Sequence, residues 1–260
     1  MPVAPLKTEH ALKLHNEGRL DEAAALAHEI LLTHPGHADA LHLLGVIAIQ
    51  QGNTTRAEEL IRNAIAADDQ DRSFHFHLGY VLEMQGKWDQ AAASYRRTLS
   101  LKPGDPNVLN NLGNVLARLG KSDEAEAAYR EAIAAKPGFA DALGNLGNLL
   151  RERGSFREAL LCYQQAVALA SDNSVLHNSL GVTLWAMGEK TDAMGFFRKT
   201  LSLDPAHADA LSNLGTGLLD KGEIEEAQAC FERALALRPG NPLFQKNLDG
   251  VREAREKQKG

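Results

Sequence analysis

Apolar residues recur along this chain at intervals of three and four, the period of one face of an α-helix. In Ala140 to Leu150 (ADALGNLGNLL) that spacing puts Leu143, Leu146 and Leu150 on one stripe. Gly154 follows, where a helix commonly ends in the left-handed conformation. A second amphipathic stretch then carries Ala159 and Tyr163. The pattern recurs along the chain. Gly18, Gly52, Gly86, Gly120, Gly154, Gly188 and Gly222 are each 34 residues apart, as are Ala23, Ala57, Ala91, Ala125, Ala159, Ala193 and Ala227. Leu44, Leu78, Leu112, Leu146, Leu180 and Leu214 keep the same step, each followed by glycine from Gly45 to Gly215. Chance does not hold several columns in register over seven periods, and internal repetition of this kind decides the fold before any local propensity does.

Each unit predicts two helices joined by a tight turn. Asp21, Thr55, Asp89, Asp123 and Thr191 stand where an N-cap of the second helix is expected, with side-chain oxygens to satisfy the free N–H groups of its first turn. Arg157 and Glu225 depart from that rule. The alanine column lets two helices approach, and Ile61, Tyr95, Tyr129, Tyr163, Phe197 or Phe231 fills the adjacent hole. Pro35, Pro103, Pro137, Pro205 and Pro239 close their units, because proline cannot continue a helix. Asp69 and Ser171 replace the closing proline, which predicts two looser junctions. In the first unit His10, Ala11 and Ala27 replace the large apolar, glycine and aromatic positions, as expected of a terminal repeat with one side in water. The chain closes with another first helix (PLFQKNLDGV) and then EAREKQKG, read as a solvating cap helix followed by a frayed tail.

These residues resemble the tetratricopeptide repeat, whose period is 34 residues and whose pattern is W-x2-L-G-x2-Y…A-x3-F…P. Leu112-Gly113, Leu116, Ala125, Tyr129, Ala132 and Pro137 fit it within one unit. The resemblance implies an all-α fold: a right-handed α-solenoid, or superhelix, of seven helix-turn-helix units plus a C-terminal capping helix. The expected organisation is a single solenoid over residues 1–260. Its repeats fall at 4–37, 38–71, 72–105, 106–139, 140–173, 174–207 and 208–241, with cap helix and tail at 242–260. It further implies a concave groove lined by first helices, with second helices outside.

Composition changes the picture in a few places. Of 260 residues 44% are apolar but only 5% aromatic, so burial rests on Leu and Ala between neighbouring units. Lys+Arg of 28 against Asp+Glu of 34 gives −6, and no basic stripe is present, which argues against nucleic acid and anionic lipid as partners. The longest apolar run, Leu43 to Ile49, falls far short of the roughly 20 residues that span a bilayer. The opening MPVAPLKTEHALKL lacks a basic region followed by an apolar stretch, so a cytoplasmic protein is expected.

Motifs for chemistry are mostly lacking. Gly120-Lys121-Ser122 looks like the end of a phosphate-binding loop, but the first glycine of that motif is Val115 here, and the run joins two helices. Gly215-Thr216-Gly217 lacks its third glycine, since Asp220 stands there. Cys162 and Cys230 lie two repeats apart, too far for a disulfide, and read as small packing residues. Six of the ten His precede residue 43, yet His37 recurs as His207 in an identical HADAL context, which reads as a duplicated turn. His42 and His77 are expected to approach each other on neighbouring first helices. Without supporting Cys or carboxylate spacing, no metal and no cofactor are expected, and no enzymatic activity.

First-helix positions read off the Leu-Gly column give a non-uniform face. The second and third units offer His42, Leu43, Val46, Phe76, His77, Tyr80 and Met84. Later units offer Asn110, Asn111, Asn114, Asn145, Asn148, Asn178 and Asn213, with Asn247 in the cap. A carboxamide carries donors and an acceptor, so a column of Asn suits both groups of an extended peptide backbone. Asn is a mediocre helix former, and its recurrence mid-helix needs a reason: recognition, or packing between repeats. The ladder is similar to the Asn-lined groove of the tetratricopeptide region of O-linked N-acetylglucosamine transferases. The Lys and Arg clamp of chaperone-tail-binding members is not matched, since Asn110 and Gly144 hold the comparable places.

Three functions compete. The leading expectation is a non-enzymatic protein-interaction scaffold that holds an extended peptide or partner protein in its groove. The alternative is the substrate-recruiting arm of a glycosyl- or sulfotransferase whose catalytic domain is absent from this chain, because LLTHPGHADALHLLGV resembles the opening of such bacterial proteins. The third is self-association through repeat ends, suggested by the atypical first unit.

Overall fold

The computed structural model describes the backbone of residues 3–259 and the side chains of residues 6–255. The closing EKQKG side chains, part of the expected tail, lie outside the described residues. Two compact units are present, Met1–Pro137 and Gly138–Gly260. The first contains α1 (Val3–Asn16), α2 (Leu20–Thr33), α3 (Ala38–Gln50), α4 (Thr54–Ala67), α5 (Arg72–Met84), α6 (Trp88–Leu101), α7 (Pro106–Arg118) and α8 (Ser122–Ala135). The second contains α9 (Ala140–Glu152), α10 (Phe156–Leu169), α11 (Ser174–Ala186), α12 (Lys190–Leu203), α13 (Ala208–Asp220), α14 (Ile224–Leu237) and α15 (Pro242–Lys259). Among the described residues there is no strand, and fifteen helices make seven helix-turn-helix pairs and a closing helix. Within each unit, helices pack chiefly on their neighbours in sequence, as stacked repeats do. The closing helix runs on to Lys259, where the sequence predicts fraying.

The turn within each pair explains why the expected N-caps are displaced. Gly120 sits at φ +72°, a conformation open to glycine. Its N–H bonds the carbonyl of Ala117 at 3.0 Å, and Lys121 N–H bonds that of Leu116 at 2.9 Å, which closes the end of α7. Lys121 is at once the last residue of that motif and the N-cap of α8, because its carbonyl accepts the Ala125 N–H at 2.9 Å. The N-cap of the second helix therefore lies two residues before Asp123. Asp21, Thr55, Asp89, Asp123 and Thr191 all lie inside the first turn, where the Asp residues favour the positive end of the helix dipole instead of capping it. Among these second helices Asn53 alone caps with its side chain, accepting the Arg56 N–H at 3.1 Å.

First helices are capped differently. Asp71, Asp105, Asn173 and Asn241 accept first-turn N–H groups, and His37 and His207 do so through Nδ1. The repeated HADAL segment is thus a helix start in both places.

The Leu-Gly column holds the pairs together. A Cβ placed on Gly113 would lie 2.5 Å from the Tyr129 ring, and one on Gly147 would lie 2.8 Å from that of Tyr163. Glycine lets the second-helix ring lie against first-helix backbone, a contact a methyl group would block. Tyr95, Tyr163, Phe197 and Phe231 are buried there, while the alanine column from Ala23 to Ala227 is fully enclosed.

The junctions without proline are not loose. His75 Nε2 lies 3.0 Å from the carbonyl of Asp69, and His177 Nε2 lies 2.9 Å from that of Ser171. Both His are buried at positions where other repeats carry Leu41, Leu109, Leu143 and Leu211. A carbonyl accepts only, so each imidazole donates from Nε2. Asp68, which precedes Asp69, keeps φ −147° and ψ 110°, close to Lys102 before Pro103 at −144° and 102°. The paired change from Pro and Leu to Asp or Ser and His replaces a stiff ring with a side-chain hydrogen bond.

Candidate protein-interaction surface

In the unit Met1–Pro137, the first helices α3 and α5 bring together a set of rings. His42 stacks obliquely on the buried Phe74 at 4.6 Å and on His77 at 4.8 Å between centroids. Phe76 meets His77 edge-on at 5.3 Å and Tyr95 at 6.0 Å. His77 Nδ1 lies 2.8 Å from the Ser73 carbonyl and 3.0 Å from His42 Nε2. The carbonyl requires a proton on Nδ1, so this N–H is shared with His42 Nε2 as a second acceptor. His42 Nε2 then carries no proton, so that imidazole is neutral. Burial, and next the neighbouring His77, push His42 down to about 4, and burial lowers His77 as well. On the same helices Tyr80 and Met84 are exposed and Val46 and Phe76 half-buried, and Leu12 is exposed on α1. Leu43, expected on this face, is instead 3% exposed and belongs to the core.

The Asn positions of this unit lie between helices. Asn110 is buried, while Asn111 and Asn114 are half-buried. Asn111 hydrogen-bonds the Tyr95 hydroxyl, which itself donates to Glu83 Oε2 at 2.8 Å. Asn114 Oδ1 accepts the Tyr129 hydroxyl at 2.8 Å.

The unit Gly138–Gly260 uses the same grammar. Asn148 Oδ1 accepts the Tyr163 hydroxyl at 2.7 Å. Asn213 donates to Asn178 Oδ1 at 3.2 Å, and Asn247 donates to Ser212 Oγ at 3.0 Å. Each of the last two bonds spans 35 residues, as the His42–His77 contact does, so it ties one first helix to the next. Asn145 is half-buried on α9. Asn111, Asn178, Asn213 and Asn247 therefore join neighbouring repeats, whereas Asn114 and Asn148 bond within their own, and all of them stay half-buried. Sequence reasoning missed Ser212, Glu83 and the aromatic Trp185; the signal for Trp185 was its place in a column otherwise filled by His15, Ile49, Glu83, Ala117, Arg151 and Leu219.

Three family models cover most of the chain. Residues 14–75 match a tetratricopeptide repeat, residues 76–193 the middle tetratricopeptide-like domain of cilia- and flagella-associated protein 70, and residues 208–241 a further tetratricopeptide repeat. The chain belongs to the tetratricopeptide repeat family. Solved tetratricopeptide structures agree in fold. Cut9, in its anaphase-promoting-complex assembly with Hcn1, is 18% identical with a TM-score of 0.72, over 94% of this chain and 48% of that one. The chain thus spans about half of that protein's length. A tetratricopeptide repeat protein from Parabacteroides merdae is 17% identical, with a TM-score of 0.70 over 95% of this chain and 98% of that one. YrrB, described as having an unusual peptide-binding site, is 24% identical with a TM-score of 0.59, over 73% of this chain and 97% of its own. No curated protein sequence matches the chain. Tetratricopeptide repeats are generally non-catalytic interaction scaffolds. Among the described residues no helix is long and apolar enough to cross a membrane, and no three His, Cys, Asp or Glu side chains gather as metal ligands.

Proposed function

We propose that this tetratricopeptide protein is an interaction scaffold that holds an extended segment of a partner protein on its first-helix faces. The observation that carries the reading is the ring cluster of α3 and α5. Phe76 packs on the His42–His77 pair, and on the same helix Tyr80 and Met84 are 41% and 48% exposed. Large apolar groups that remain partly open on a face with no neighbouring helix are the usual anchors of a protein contact. Val46 extends that patch. In each unit the Asn residues, Asn111 and Asn114 in one and Asn145, Asn148, Asn178, Asn213 and Asn247 in the other, supply carboxamides for a peptide backbone. Asn110 is buried and contributes no open carboxamide. The bonds to Tyr129 and Tyr163 hold the Asn114 and Asn148 carboxamides in place, which lowers the ordering cost of binding.

The test is selection of random extended peptides on the full chain, followed by affinity measurement. Phe76→Ala with Tyr80→Ala should weaken the selected peptides by about tenfold or more, from lost aromatic burial, with helicity unchanged. Asn111, Asn145 and Asn213 changed to Ala should weaken them further. Selection of no peptide, or affinities indifferent to both sets, overturns the proposal.

A further inference from the structure

In the unit Gly138–Gly260, Val182, Trp185, Phe197, Asn213 and Thr216 line a cavity of about 80 Å³. Two departures from the 34-residue pattern lie at or beside it. Trp185 stands where earlier repeats have Arg151, Ala117 and Glu83, and Gly217 where they have Leu149, Val115 and Val81. A Cβ at position 217 would meet Met194 Cγ and Sδ at 2.8 Å and Trp185 Cζ3 at 3.2 Å. The missing side chain is what lets the indole and Met194 lie against α13. Trp185 is also fixed from other sides. Lys190 Nζ sits 5.0 Å from its ring centre, Lys190 is itself 2.6 Å from Asp220, and the Phe197 ring is 6.5 Å away. An indole held in this way loses little freedom when a ligand arrives.

The lining contains no charged side chain. Its polar groups are already partly spent: the Thr216 hydroxyl donates to the Ser212 carbonyl at 3.0 Å, and Asn213 donates to Asn178 Oδ1 at 3.2 Å. What Thr216 adds is a methyl group and an acceptor oxygen, and Asn213 Oδ1 accepts as well. Size narrows the ligand further. A cavity of roughly 150 Å³ takes a benzene ring, so one of about 80 Å³ takes an aliphatic branch and excludes an aromatic side chain. A charged side chain would shed its hydration there without a partner.

We propose that this cavity is a specificity pocket for one branched aliphatic side chain, Val, Leu or Ile, of the bound segment, with that residue's backbone N–H donated to Asn213 Oδ1. The pocket rests on the reading above that first-helix faces hold an extended partner segment. It adds a preference that the Asn residues alone do not supply.

The test uses N-acetyl-leucine methylamide and its serine counterpart as probes, titrated into the full chain and followed by NMR at the Trp185 indole N–H and the Thr216 methyl. The leucine compound should give saturable shifts at both groups, about tenfold tighter than the serine compound. Filling the cavity with Thr216→Leu, or from the other side with Val182→Phe, should abolish them while far-UV circular dichroism stays unchanged. Equal response to the two compounds, shifts confined to other residues, or none at Trp185 overturns the pocket, and this comparison on the unaltered chain stands even if a filled variant misfolds. Peptide selection separates this failure from that of the scaffold. Selected peptides indifferent to Thr216→Leu would remove the pocket and leave the face; selection of none would remove the face.

Discussion

Changing Gly113 to Ala and changing Gly195 to Ala should move stability in opposite directions. Both glycines are helical, and Ala is the better helix former by about 0.8–1.0 kcal/mol. At Gly195 in α12 an added Cβ meets nothing within 4 Å, so the propensity gain stands and the variant should gain about 0.5–1 kcal/mol. At Gly113 the same Cβ falls 2.5 Å from Tyr129 Cε1 and 2.7 Å from Cδ1, about 1 Å inside ordinary contact. The ring has no easy escape, because it is 3% exposed and its hydroxyl is held by Asn114 at 2.8 Å. Overpacking of this kind costs about 1–3 kcal/mol, which leaves a net loss of up to about 2 kcal/mol after the propensity gain. Urea denaturation followed by far-UV circular dichroism measures both. A cycle with Tyr129→Ala adds a check: removing the ring should cost less in the Gly113→Ala background, with a coupling of about 1–2 kcal/mol. If Gly113→Ala stabilises as much as Gly195→Ala, or the cycle shows no coupling, the account of the Leu-Gly column is wrong.

Two further outcomes follow from the buried imidazoles. His75→Leu restores the residue of other repeats but removes the bond to the Asp69 carbonyl, and should cost about 1 kcal/mol. Adding Asp69→Pro should recover about 0.4–1 kcal/mol, because Asp68 already has the extended backbone proline demands; an unchanged urea midpoint for His75→Leu would count against the lock. The His42–His77 pair should make stability fall in acid. His42 is pushed from 6.5 to about 4 in the folded state, so the unfolded chain binds its proton first as pH drops. The contribution is full above about 6.5 and lost as pH falls through about 4, on the order of 3 kcal/mol. Denaturation series of the native protein and of His42→Leu with His77→Leu should therefore converge between these pH values, and parallel curves would sink the idea.

Much of the fold was legible because each repeat is a local object. Gly, Ala, Leu and Pro columns 34 residues apart report helix ends, close approach and helix stops, all set by neighbours in sequence. The His42–His77 approach was legible for the same reason, since the period itself places one residue beside the other. Helix starts were not. Asp123 has the chemistry of a cap, yet the turn at Gly120 sets where α8 begins, and turn geometry overrides cap preference. The junctions at Asp69 and Ser171 misled because the compensating His lies six residues away and reads as an ordinary core substitution.

For the face, the sequence by itself determined which residues sit on first helices, because the helical period assigns them. Only the tertiary structure decided which are open and which are consumed. Leu43 turned inward, Asn110 became buried, and Asn114 and Asn148 took up tyrosine hydroxyls of their own repeats. The cavity beside Trp185 likewise needed coordinates, since its lining is drawn from α11, α12 and α13 of two adjoining repeats. Periodicity reports what is common to the repeats, whereas side-chain packing across a junction depends on two particular repeats at once.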